Sequence, residues 1–155
     1  MIMLICFFVK NKQVFYRTLL TLCLGLLSCY LVYLLFQTTV PRPVIPDHGV
    51  LYQLVGFVYN TDNPSNCFPS IHVLTSYLMI KAVSTGSANF SQRSRIAVYI
   101  FSLTIICSTF FVKQHVLLDA AGAIGLVEFL WFMVSRLFQL KQHALPKGAI
   151  SSEEN

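Results

Sequence analysis

Charged side chains are scarce in this chain. Eleven Lys and Arg and six Asp and Glu stand among 155 residues, or 11%. A soluble domain carries roughly 25%, and so few charges cannot coat a globule of this size. The shortage argues against a soluble domain, and the 55% hydrophobic content excludes a disordered one. Cysteine spacing of the metal or redox kind is also missing. Cys6, Cys23, Cys29, Cys67 and Cys107 are scattered, and four of them sit in apolar runs as small core hydrophobes. There is no internal repeat and no low-complexity tract. The apolar residues 1–9 lack a basic segment before them and a small-residue cleavage site after them, so they do not read as a signal peptide. The net charge of +5 comes from scattered basic residues. They read as membrane topology signals, and no nucleic-acid partner is expected.

What is present is long apolar runs. A spanning helix needs about 20 mostly apolar residues. Runs at 18–36, 96–112 and 116–138 qualify, the last despite Asp119, Glu128 and Arg136. A shorter run at 71–83 carries Lys81, whose stem is expected to snorkel to an interface. The expected fold is therefore all-α, a polytopic membrane bundle of four spanning helices. Residues 1–17 form an apolar and basic leader to it, 18–140 the membrane-embedded domain, and 141–155 a polar cytoplasmic tail. Residues 1–9 are too short to span. They are expected to be the end of a span that starts earlier, or an interfacial segment. The long connection 37–68 holds Pro41, Pro43, Pro46 and Pro64, with Asn60, Asp62, Asn63 and Asn66 as turn formers. Its apolar stretch 50–59 predicts a short helix against the bilayer. A connection of this length between packed helices is functional more often than not.

Basic residues set the orientation. Lys10, Lys12 and Arg17 precede the first span, and Lys81, Arg93 and Arg95 flank the link between the second and third. Arg136, Lys141 and Lys147 accompany the end of the fourth. Alternation puts these nine on one face, which the positive-inside rule makes cytoplasmic. Arg42 and Lys113 remain on the other face.

That outer face gathers chemistry. Arg42 lies in the long loop, and Phe68-Pro69-Ser70-Ile71-His72 opens the second span. The third ends near Ser108, and Lys113, Gln114, His115 and Asp119 follow. Two histidines, two cations and one carboxylate at one depth suit phosphoryl transfer. Cations neutralise phosphate oxygens, and a helix N-terminus offers N–H groups to an anion. One His can attack phosphorus while another supplies a proton. His115 and Asp119 are i and i+4, so a helix puts them on one face, where Asp119 can hold the imidazole tautomer.

Pro-Ser-x-His, followed by Ser108-Thr109, Lys113-Gln114-His115 and Asp119, resembles the type 2 phosphatidic acid phosphatase superfamily, in particular its inositolphosphotransferase-like branch. The resemblance implies that His115 is a nucleophile that becomes phosphorylated and that Asp119 orients it. It implies that His72 protonates the leaving group, while Ser70 and Arg42 bind phosphate. Lys113 and Ser108 join the phosphate site. No metal or other cofactor is implied. The substrate would be a lipid phosphate, cleaved at the extracytoplasmic face of the plasma membrane. The chain departs from the family where Leu35 stands in place of the first-motif Lys and Thr109 in place of Arg. The family bundle has six helices, so two are expected to precede residue 1. Two other readings compete: a catalytically inactive or structural membrane protein of the same fold, and a small transporter with a His/Asp proton relay. His48 fits no motif and reads as a loop histidine, and His143 as a solvated one.

Overall fold

The computed structural model describes residues 2–39, 41, 44, 49–61, 66–85, 90–112 and 116–144. Among them are six helices and no strand: α1 (Ile2–Lys10), α2 (Lys12–Leu35), α3 (Val50–Thr61), α4 (Ile71–Thr85), α5 (Gln92–Phe111) and α6 (Leu117–Ala144). Three of these, α2, α5 and α6, are long and apolar enough to cross a membrane. The expected fourth span falls short. α4 has 15 residues, about 22 Å of rise at about 1.5 Å per residue, against a hydrocarbon core of roughly 30 Å.

The helices begin where local polar groups close them. The Asn11 side chain accepts from the Val14 N–H at 3.1 Å and caps α2. The Ser91 hydroxyl accepts from the Ser94 N–H at 3.2 Å and caps α5. Ser70 does the same for α4 through the Val73 N–H at 3.4 Å. Each cap satisfies one N–H that the helix itself leaves open.

Contacts at the two ends fix how the helices run. At one end, the Ser70 N–H that opens α4 donates to the Asp119 carbonyl in the first turn of α6, at 3.3 Å. The Tyr33 hydroxyl, near the end of α2, donates to the Pro69 carbonyl at 2.5 Å. At the other end, Arg17 in the second turn of α2 donates to Ser135 of α6. Its guanidinium lies 4.8 Å from the centre of the Trp131 ring. So α2 runs antiparallel to α6, and α4 leaves the same end at which α6 begins.

α4 is the central helix and packs on α2, α5 and α6. Its Val73, Leu74 and Leu78 are fully buried. The stripe of α2 that buries itself is Val14, Thr18, Thr21, Gly25, Cys29 and Tyr33, small for most of its length. Lipid tails are as apolar as leucine, so close approach of backbones and tight packing replace the hydrophobic effect as the force between such helices. Gly25 is an instance: a Cβ there would lie 3.2 Å from a Leu74 methyl. The outer surface is apolar too, with Leu27, Leu31 and Leu34 on α2, Phe101 on α5 and Phe129 and Phe132 on α6 all exposed. Water would not tolerate such a belt on a monomer, whereas acyl chains do.

Residues 2–10 form α1, which turns at Asn11 and packs on α2, with Phe7 fully buried and its ring edge-on to Phe90 at 5.4 Å. One expectation is overturned here. Lys81 does not snorkel away. Its ammonium donates to both Glu128 carboxylate oxygens, at 2.8 and 2.7 Å, and Tyr77 donates to the same carboxylate at 2.7 Å. Glu128 sits about 16 Å of helix rise from the start of α6, near the middle of a roughly 30 Å core. A carboxylate at that depth requires a partner, and α4 supplies two.

Candidate functional site

The end of the bundle where α4 and α6 begin brings three distant stretches of chain together. The first is the segment that follows α2. The Thr38 hydroxyl accepts from the Phe68 N–H at 2.9 Å, and its carbonyl accepts from the Cys67 N–H at 3.3 Å. The second is residues 67–70, held from below by Tyr33. The third is the start of α6, held by the bond between Ser70 and the Asp119 carbonyl. Phe68 lies so close over α6 that a Cβ on Gly122 would be 2.4 Å from its ring. Only glycine lets the two segments meet there.

A cavity of about 410 Å³ opens between these stretches. Its walls include Thr38, Thr39 and Pro41 from the first, Cys67 and Phe68 from the second, and Val116, Leu118 and Asp119 from the third. Asp119 is buried, 4% exposed, and Ser70 is fully buried beside it. One Asp119 carboxylate oxygen accepts from the Val116 N–H at 3.0 Å. This is the return half of a capping box, with an acid in the first turn where the helix dipole favours it. Asp119 therefore has a structural task in addition to any chemical one.

Of the seven residues expected to form the site, Arg42, Lys113 and His115 lie outside the described residues. The other four divide. Ser70 and Asp119 come together through the bond from the Ser70 N–H to the Asp119 carbonyl, and of the two Asp119 is among the described lining residues of the cavity. His72, two positions into α4, is exposed and is not among the described lining residues. Ser108 is exposed on α5, where its hydroxyl donates to the Ile105 carbonyl at 2.7 Å, the back-bonded arrangement common for a helix serine. The helical face that His115 was expected to share with Asp119 falls, at its His115 end, outside the described residues. Among the described residues no group of three His, Cys, Asp or Glu side chains is placed to hold a metal ion.

Four residues that shape this end were not singled out from sequence. Tyr33 and Thr38 hold residues 67–69, and Tyr59 of α3 donates to the Val112 carbonyl at 2.7 Å. Gly122 gives Phe68 room. Only Gly122 carried a signal: it lies in Ala120-Ala121-Gly122-Ala123, a small-residue run of the kind that permits close approach. No family model, no curated protein and no solved structure matches the chain.

Proposed function

We propose that this chain is an integral membrane enzyme that cleaves a phosphate ester or anhydride of a lipid through a phosphohistidine, as the resemblance to type 2 phosphatidic acid phosphatases implies. The observation that carries the reading is the meeting of three motif-bearing stretches at one cavity. The wall residue Pro41 precedes Arg42 in sequence, Phe68 precedes the Pro-Ser-x-His motif, and Val116 follows His115. In this reading α4 crosses the bilayer as a short fourth span. Lys81 pairs with Glu128 inside the membrane, so eight basic residues against Arg42 and Lys113 assign the cavity to the extracytoplasmic face by the positive-inside rule, and the membrane proposed is the plasma membrane.

His115 attacks phosphorus, the ester or anhydride P–O bond breaks, and His72 gives its proton to the departing oxygen. Water or an alcohol then takes the phosphoryl group as the His115 N–P bond breaks, and its proton passes to His72, which restores the acid. Arg42 and Lys113, with Ser70 and Ser108, stabilise the charge spreading over the phosphate oxygens. Asp119 favours the cationic ring that forms on attack. Attack needs neutral His115 and leaving-group protonation needs charged His72, so the rate is bell-shaped in pH.

A second reading is favoured by one specific observation. Asp119 and Ser70 both cap helices, so both have reason to be present in an inactive structural membrane protein. Phosphate release by the purified protein decides between the two. The substrates are phosphatidate, a polyprenyl diphosphate and a phosphoinositide, with EDTA present. Release from at least one, lost in His115→Ala, supports the enzyme. No release from any of them supports the structural protein.

A further inference from the structure

A second cavity, of about 680 Å³, lies between α1, α4 and α5. That volume is within the roughly 300–1,000 Å³ of ligand pockets. Its walls are mostly apolar, with Met3 and Leu4 from α1, Met79 from α4, and Phe101 and Ile105 from α5. Small side chains, Ser76, Ala97 and Ser102, recess the wall between them.

Among the described lining residues charge enters at one end only, while Thr75, Ser76 and Ser102 place hydroxyls along the wall. Lys10 and Ser94 line the end where α1 finishes and α5 starts. The Lys10 ammonium is held 5.0 Å from the centre of the Phe90 ring. Arg93 and Arg95 stand exposed in the same first turn of α5. No carboxylate is among the described lining residues. From Ser94 the lining follows α5 to Ile105, a rise of about 16 Å at about 1.5 Å per residue. One leaflet of a roughly 30 Å hydrocarbon core has the same depth. A cation at the mouth of an apolar slot one leaflet deep has the dimensions and charge of a phospholipid's complement.

We infer that this cavity holds an acyl chain of one anionic phospholipid, with the phosphate headgroup at Lys10 and Ser94. The lipid comes from the leaflet that meets the Arg17–Ser135 end of the bundle, opposite the candidate catalytic cavity. The inference rests on neither the catalytic reading nor the residues that serve it. α1 forms one wall, so the bound lipid also ties the N-terminal helix to α4 and α5.

The test is electron spin resonance of the full chain in phosphatidylcholine vesicles doped with spin-labelled phosphatidylglycerol or spin-labelled phosphatidylcholine. The expected result is a motionally restricted component that favours phosphatidylglycerol by about fivefold, the discrimination of one lysine at a charged lipid surface. Lys10→Gln should bring the preference to about one while leaving restricted lipid present. Ser102→Phe, which fills the slot, should remove the excess for both lipids, and Ala97→Leu should do the same if Ser102→Phe does not fold. Equal restriction of the two lipids by the unaltered chain would overturn the inference. So would a restricted fraction unchanged by filling. Cross-linking between copies through Phe101→Cys, with no restricted lipid, would assign the cavity to a second copy and overturn it too.

Discussion

Gly122→Ala should destabilise the bundle even though alanine is the better helix former. The new Cβ would lie 2.4 and 2.7 Å from two carbons of the Phe68 ring. Carbon atoms sit comfortably at about 3.5–4.0 Å, so Phe68 must retreat by more than about 1 Å. It has little freedom to do so. Its N–H is bonded to Thr38, the following carbonyl to Tyr33, and Ser70 to Asp119. Overpacking of this kind costs about 1–3 kcal/mol, more than the roughly 0.5–1 kcal/mol that alanine recovers over glycine in a helix. Gly125, one turn further along α6, is the internal control. A Cβ there meets nothing within 4 Å, so Gly125→Ala should be neutral or stabilising. Unfolding by SDS titration in mixed micelles, followed by circular dichroism, measures both. Phe68→Leu in the Gly122→Ala background should restore most of the loss. Equal stabilities for Gly122→Ala and Gly125→Ala would refute the close contact between α6 and residues 67–70.

Lys81→Met should cost about 3 kcal/mol by leaving the Glu128 carboxylate with no cation, and only the Tyr77 hydroxyl, near the bilayer centre, and Lys81→Met with Glu128→Leu should regain most of it, in the same SDS assay. Tyr33→Phe should cost about 1–3 kcal/mol, because the buried Pro69 carbonyl loses its donor. In the catalytic reading, His72→Ala should lose about 10²–10⁴-fold on lipid phosphates, yet retain turnover of an activated aryl phosphate whose leaving group needs no proton. Equal losses on both substrates would remove His72 from the role of acid.

The helical membrane class was legible in the sequence because apolar length and missing charge have one physical solution. The structure moves the helix ends by a few residues: the run at 18–36 becomes Lys12–Leu35 and the run at 116–138 becomes Leu117–Ala144. The number of spans was less legible. The run at 71–83 has the right composition, and α4 remains short because Pro69 and Ser70 start it beside the first turn of α6 rather than earlier. Pairings across the sequence were not legible. Lys81 and Glu128 are 47 positions apart, and nothing local in either segment points to the other. Likewise, α1 lacks the length of a span, and its docking depends on Phe7 finding Phe90. Asp119 was legible as a special carboxylate, but its helix-start position, an acid three residues after Val116, also signalled the capping task that the structure shows.

The central claim is the chemistry assigned to His115, and covalent trapping tests it most directly. Purified chain mixed with phosphate-labelled phosphatidate or polyprenyl diphosphate, then quenched in alkali, should carry label that is stable to base and released by mild acid. The label should be missing from His115→Ala. An acid-stable adduct, or labelling and turnover undiminished in His115→Ala, would contradict the account.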